Sequence, residues 1–419
     1  MKKICRKIIL TVSFLIGLIF FAELVLYGIS LFSPNVKNLL SREPEEIPLV
    51  ISDKRLGKRP NPAYPGHSDE KGFRNPYLPE DADIVVLGDS QTYGTGVARD
   101  FAWPRRLADL GDWEVYNFAF GGYGPVHGLL QLEEALDLDP ELVIEAFYTG
   151  NDLYDAYHLV YGFESCPELR NREETVLENC RRSEREEPML EAIDEIRRLH
   201  PEDKEVSLNP FRAFLSKHSR LYALVRALKR RYARERWKEN RKHNWEWIKE
   251  DLKHAGDKLI LFDGGAAQTV LQHRYRLLAL DQKDPRMAEG LRIVLEAIGK
   301  MNEAARSRGV NFAVLLLPTK ELVFKDAVYE NLPDIPESYS QLIENEQSVW
   351  KEVKDFLDSE GITYIDALPV LKKALREGNQ PYWRGRDSHK NEIGHELVAE
   401  LVLSEIQRKG ILTTTLSDQ

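Results

Sequence analysis

Ser90 stands in the run Ile84-Val85-Val86-Leu87-Gly88-Asp89-Ser90-Gln91-Thr92-Tyr93-Gly94-Thr95-Gly96. A hydroxyl that leaves a short apolar strand through a glycine is placed to meet a ligand, because open α/β sheets bind at the carboxyl ends of their strands. To act as a nucleophile it needs a base, and the base needs an orienting acid. Asp387 and His389, two residues apart near the end of the chain, can reach one wall from a loop as acid and base. Asn151, in Tyr148-Thr149-Gly150-Asn151-Asp152, offers a side-chain amide, and Gly121-Gly122 offers a backbone N–H that can approach a ligand closely. The chemistry these residue types imply is nucleophilic catalysis by a hydroxyl, with the Ser90 backbone N–H able to stabilise a developing oxyanion.

Each residue also has a plainer reading. Gly-Asp-Ser favours turns, Asn151-Asp152 can cap a helix, and His389 can simply pack. Asp89 is expected to fix the turn, and His395 to pack from the helix that follows. Asp387, His389 and His395 have some of the spacing of a metal site. They lack a further ligand and leave Ser90 idle, so no metal is expected.

These groups must be carried by elements that bring them to one edge. Short apolar runs at Ile84–Leu87, Val115–Phe118, Leu142–Tyr148, Phe312–Leu317 and Ile362–Ile365 read as strands. Helical spacing lies between them, near Trp103–Leu110, Val126–Leu138, Met287–Ser307, Tyr339–Leu357 and Glu392–Arg408. Strands alternating with helices imply a parallel sheet wound right-handedly. Ser90, Gly122 and Asn151 then follow the first three strands, and the Asp387–His389 loop precedes the last helix.

In that order, Gly-Asp-Ser, a glycine after the second strand, Gly-Asn-Asp and Asp-x-His, the chain resembles the SGNH (GDSL-type) hydrolase family. The resemblance covers about 81–160 and 258–410. It implies Ser90 as nucleophile, His389 as base and Asp387 as its partner. The oxyanion would be held by the N–H groups of Ser90 and Gly122 and by the Asn151 amide. Gly122 is preferred over Gly121 because the family's glycine falls five residues after a strand-ending Asn, here Asn117. The implied fold is a flavodoxin-like three-layer α/β/α sandwich with a mostly parallel five-stranded sheet. Many members separate the final Asp and His by two residues. This chain has one between them, which resembles cell-surface polysaccharide acetylation proteins of the same superfamily.

The 419 residues carry a net charge of −10, which argues against nucleic-acid binding. No Walker-type lysine follows Gly94–Gly96, and no cofactor is expected. The start is basic (Lys2, Lys3, Arg6, Lys7), and Ile8 to Phe32 is almost wholly apolar apart from Glu23. That run is long enough to cross a bilayer, with the amino terminus inside and the remainder outside the cytoplasmic membrane. An uncleaved transmembrane anchor over 1–33 is therefore expected in place of a cleaved signal. Residues 34–80 read as a juxtamembrane arm, 81–410 as the catalytic domain and 411–419 as a tail. About 160–257 interrupts the α/β rhythm as an insertion or lid. Its second half carries Phe211, Phe214, Leu215, Leu221, Tyr222, Val225 and Leu228 at helical spacing among many Arg and Lys, a basic amphipathic face that is solvated or meets a membrane surface. If the domain is exported, a Cys166–Cys180 bridge is expected over two free thiols.

The function expected from the sequence is a membrane-anchored serine esterase acting on an acylated small molecule or on O-acetyl groups of an envelope glycan. Two rivals stand beside it. One is an O-acyltransferase to a polysaccharide, and the other a catalytically silent domain that holds glycan or partners in envelope polysaccharide machinery.

Overall fold

Among the residues described in the computed structural model (2–33, 48–64, 68–186, 219–265 and 267–412), the apolar runs become strands and the helical runs become helices. In chain order the strands are β1 (Val50–Asp53), β2 (Gly57–Pro60), β3 (Ile84–Gly88), β4 (Val115–Asn117), β5 (Leu142–Tyr148), β6 (Ile260–Asp263), β7 (Gln268–Leu271), β8 (Asn311–Leu317) and β9 (Thr363–Asp366). The central sheet has the order β4-β3-β5-β8-β9, and every pairing in it is parallel. Numbered among themselves, its five strands run 2-1-3-4-5, the flavodoxin-like order. Two antiparallel hairpins, β1-β2 and β6-β7, were not foreseen. Both are four-residue strands with little alternation to betray them.

Strand alternation sends side chains to two cores. Val85, Leu87, Val143, Phe147, Val314 and Leu316 face a layer that includes helices Pro125–Leu136 and Pro285–Ser307. Ile84, Val86, Ile144, Ala146, Ala313 and Leu315 face a layer built on Trp103–Gly111 and Glu392–Lys409. β3 and β5 are buried along their whole length. Each fully buried aliphatic side chain contributes about 1.5–3 kcal/mol, so these two layers outweigh any surface ion pair. The helix limits follow local chemistry: Asp284 accepts the Arg286 N–H with Pro285 in the first turn, and Asn391 accepts the Gly394 N–H with Gly410 left-handed at the far end.

One core residue breaks the pattern. Glu145, mid-strand in β5, is buried, and neither of its oxygens has a hydrogen-bond partner among the described residues. Burial, then the nearby Asp89 carboxyl, push it well above the usual carboxylate range, so it is held neutral. Gly128 on the facing helix is needed there, because a Cβ would run into Glu145 Oε2.

Part of the arm belongs to the sheet. The Asn75 amide pairs with the backbone of the β4 edge strand, donating to Asn117 O (3.1 Å) and accepting the Asn117 N–H (2.9 Å). Asp69 holds that segment, accepting from Lys71 N, Phe73 N, Asn75 Nδ2 and the Tyr116 hydroxyl. Phe73 stacks edge-on against Phe118 at 5.0 Å. An otherwise open strand edge is thereby closed.

The contacts divide the chain into Met1–Ile47 with His200–Arg241 and Pro48–Leu199 with Lys242–Gln419. In the first unit, helix Lys2–Phe32 contains a stretch, Leu10–Phe32, long and apolar enough to cross a membrane. Phe211, Phe214 and Leu215, the second part of the charged stretch Glu164–Lys204, and most of the arm before Pro48 lie outside the described residues. So do residues 413–419 of the tail. In the second unit the expected Cys166–Cys180 bridge is corrected: both thiols are free and buried. Cys166 sits in a left-handed turn before Pro167–Leu169, whereas Cys180 turns from helix Glu174–Glu186 to the Pro285 carbonyl. Burial pushes each thiol up to about 11, which keeps the unreactive protonated form.

Replacing Asp69 with Ala leaves the buried Tyr116 hydroxyl without an acceptor and the Asn75 amide with the Asn117 carbonyl alone. The variant is expected to lose about 1–3 kcal/mol of stability, read as a lower urea midpoint with the slope unchanged.

Candidate active site

β3 ends at Gly88 (φ 146°), where a Cβ would lie 2.9 Å from Thr92 Oγ1 and 3.0 Å from the Ala146 Cβ. No side chain fits, and the chain turns sharply into the one-turn helix Ser90–Tyr93. Asp89 caps that helix by accepting the Gln91 N–H at 2.8 Å, so it fixes the turn as expected. Ser90 is thereby presented half-buried at the end of the strand.

The Ser90 Oγ lies 2.8 Å from His389 Nε2, across 299 residues of chain. His389 Nδ1 lies 2.6 Å from Asp387 Oδ1, which also accepts the His389 backbone N–H at 3.0 Å. An ionised carboxylate only accepts, so Nδ1 carries the proton and Nε2 is left to accept the Ser90 hydroxyl. Burial alone would push Asp387 up; the hydrogen bonds and charge of His389, with Lys320 nearby, outweigh it and hold the carboxyl at about 2. A hydroxyl, a correctly oriented imidazole and an ionised acid in one line can remove the hydroxyl proton as oxygen attacks an electrophile. The Asp89 Oδ2 is 3.4 Å from Ser90 Oγ, a weaker second contact.

The donors expected at the oxyanion sit around Ser90 differently. Gly121 is beside it: a Cβ there would lie 4.0 Å from Ser90 Cβ. Gly122 has a left-handed backbone (φ 74°) and faces the Lys58 ammonium. Asn151 opens the helix Asp152–Tyr157, and its amide donates to the Asp155 carboxylate. His395 is fully buried and its Nδ1 accepts the Trp103 N–H at 3.3 Å, so it packs against the start of helix Trp103–Gly111.

Five residues outside the expected set hold the Asp387–His389 loop. Lys320, fully buried, donates to the carbonyls of Gly385 and Asp387, each at 2.9 Å. Burial lowers its ammonium to about 8. Arg276 donates to Gly150 O (2.6 Å) and to Ser388 Oγ (2.7 Å), with its guanidinium over the rings of Tyr148 and Tyr275. One side chain therefore ties the Asn151 turn to the histidine loop. Gln91, next to Ser90, donates to Ser388 O at 3.3 Å and accepts from the buried Lys390 at 2.9 Å. Gln272 donates to Arg386 O at 2.6 Å. Lys320 was within reach of sequence reasoning, since it follows β8 at the same sheet edge that carries Ser90 and Asn151. Arg276 and Gln272 sit on or beside a helix after an unforeseen hairpin and gave no signal.

Gly96 brings a second loop against the acid. Its φ is 95°, and a Cβ there would lie 3.1 Å from Trp383 Nε1 and 3.5 Å from Asp387 Oδ2. Lys242 donates to Gly96 O and stands 4.1 Å over the Trp383 ring.

The GDSL-like lipase/acylhydrolase family model matches residues 86–280, which include Ser90 and Asn151. The model named SGNH hydrolase-like domain, acetyltransferase AlgX, matches 278–418, which include Asp387 and His389. A search of curated proteins found no match. Among solved structures, the chain is similar to one described as a lipolytic protein of the G-D-S-L family from Desulfitobacterium hafniense, at 14% identity over 77% of this chain and 97% of that one. Another is a GDSL-like lipase from Bacteroides thetaiotaomicron, at 11% identity over 78% and 88%. The TM-score is 0.33 in both cases, too low to add to the fold described above.

The Asp387 carboxyl is lowered from 3.8 to about 2 on folding, so its ionised form stabilises the folded chain above about pH 4, and that contribution is lost as pH falls towards 2. The wild type's stability margin over Asp387→Asn is therefore expected to be constant near neutral pH and to shrink between about pH 4 and 2, measured by urea unfolding at each pH. A margin that grows on acidification would contradict the assignment of the ionised partner.

Proposed function

Because the chain belongs to the SGNH (GDSL-type) hydrolase family, we propose that it is a serine enzyme of acyl esters working through an acyl-serine intermediate. The observation that supports this most directly is the unbroken line from the Ser90 hydroxyl through the His389 ring to the Asp387 carboxylate. Ser90 Oγ passes its proton to His389 Nε2 and bonds to the acyl carbon, while the carbonyl π electrons move onto oxygen. The oxyanion takes hydrogen bonds from the N–H groups of Ser90 and Gly122. A third comes from the Asn151 amide, which has two hydrogens and gives one to Asp155. Collapse breaks the ester C–O bond, and the leaving alkoxide takes the proton from His389. A second hydroxyl compound, deprotonated by His389, then attacks the acyl-serine and returns Ser90 to its starting state.

Water as that second compound gives an esterase. A sugar hydroxyl gives an O-acyltransferase. The second reading is favoured by the acetyltransferase-named model covering the stretch that contains Asp387 and His389, and by the single residue between them. In both, the substrate class is an O-acylated glycan or small molecule, and the apolar helix Lys2–Phe32 is a single-pass anchor. The basic residues ahead of it orient the amino terminus inwards and the catalytic unit outwards. No cofactor or metal takes part in any step.

Ser90→Ala and His389→Ala are expected to lose nearly all turnover of a generic acetyl ester, with circular dichroism unchanged. Asn151→Ala is expected to cost about a hundredfold or more in turnover, as for single oxyanion donors elsewhere. A fluorophosphonate probe should label Ser90, and full activity in Ser90→Ala would end the proposal. Product analysis with a polysaccharide acceptor separates the readings: acyl groups on the glycan mean transfer, free acid means hydrolysis.

A further inference from the structure

Glu23 is the one charged residue within the apolar run, and it has partners. Its carboxylate accepts the Ser219 hydroxyl, the Arg220 N–H (2.8 Å) and the Leu221 N–H (3.1 Å). These are the first residues of helix Arg220–His243. One helix thus caps the amino terminus of another, as an aspartate or glutamate caps from within its own chain segment. The Arg220 guanidinium stacks 4.5 Å over Tyr27, one turn further along the first helix.

Each helix also has a half-buried side and an exposed side. On the first helix, Ala22, Glu23, Leu26 and Ser30 are half-buried, a strip at helical spacing, while Leu24, Val25 and Ile29 are exposed. On the second, Leu221, Tyr222 and Leu224 are half-buried, whereas Val225, Leu228 and Tyr232 form an exposed apolar stripe. An apolar stripe left uncovered by the described residues marks an interaction surface, of which a membrane is one.

The sequence supplies the depth. From Glu23 to Phe32, where the apolar run ends, is nine residues, or about 14 Å of helix. From Arg220 to Lys229, where Lys229-Arg230-Arg231 begins a basic run, is the same nine residues and about 14 Å. Between them Arg226 is the one charged residue.

We propose that the amino-terminal half of helix Arg220–His243 is a second membrane-embedded element, capped by Glu23 inside the outer leaflet. Val225 and Leu228 then face lipid acyl chains, Tyr232 sits at the interface, and the basic run from Lys229 meets phospholipid phosphates. This rests on the reading of Lys2–Phe32 as an anchor. It explains why a carboxylate is placed in a span at all: three hydrogen bonds satisfy it there, and it in turn satisfies helix N–H groups that lipid cannot.

The test uses the full chain in phosphatidylcholine–phosphatidylglycerol vesicles, with single cysteines at Val225→Cys, Leu228→Cys and Arg236→Cys. Reaction with a water-soluble maleimide is measured above that of the unsubstituted chain. Positions 225 and 228 are expected to be protected in vesicles and to react once detergent replaces the lipid, while 236 reacts in both. Adding Glu23→Ala should expose 225 and 228 while the protein stays in the carbonate-washed membrane. Equal labelling of 225, 228 and 236 in vesicles overturns the embedding, and protection unchanged by Glu23→Ala overturns the cap. Release of the unsubstituted chain by carbonate would instead overturn the anchor itself.

Discussion

The loop that carries Asp387 and His389 has almost no backbone ladder of its own, only the Tyr382–Lys390 bridge, and yet it must hold an acid and a base in line. It is held by side chains donating into it. Lys320 takes two of its carbonyls, Arg276 and Gln91 take both oxygens of Ser388, and Gln272 takes Arg386 O. Cations suit this role for a second reason. Placed under the loop, they favour the ionised form of Asp387 while satisfying oxygens that burial would otherwise orphan. The cost is visible in Lys320, whose ammonium burial draws down to about 8.

The sheet order makes the line possible. β3 has β4 on one side and β5 on the other, so the chain reverses direction across the sheet at that strand. The turns after β3, β4 and β5 therefore crowd around one crevice. Ser90, Gly121-Gly122 and Asn151 are the residues in those turns. The histidine loop comes from beyond β9 at the opposite edge, and it reaches the crevice because Arg276 and Lys320 bridge the intervening strands from beneath. Asp387 and His389 are thus imported, while Ser90 and the expected donors are native to the switch point.

Around this crevice the interior holds an unusual number of carboxyl groups. Asp89, Glu145 and Asp152 are each fully buried and each raised, chiefly by desolvation; the Asp89 carboxyl adds to the rise at Glu145 and at Asp152. Asp387 is lowered instead, because the hydrogen bonds and charge of His389 outweigh its burial. Neighbouring acids are thus shifted in opposite directions by the partners each is given and not by residue type.

Sequence alone determined a good deal. The strands of the central sheet were legible because buried parallel strands are short, apolar and β-branched, and their limits moved by only a residue or so. Ser90, Asn151, Asp387 and His389 could be picked out as candidates because each stands just past a strand or just before a helix, and the structure brings Ser90, His389 and Asp387 into one hydrogen-bonded line. The hairpins β1-β2 and β6-β7 were not, since four-residue strands leave too short a pattern. Tertiary structure decided what pairs with what: that Cys166 and Cys180 stay apart, that Asn75 closes the β4 edge, that Asn151 leans on Asp155, and that Arg276 and Gln272 brace a loop more than a hundred residues away. The reason is physical. Local pattern reports which way a side chain faces, whereas the partner of a buried polar group is set by whatever the fold brings within about 3 Å of it.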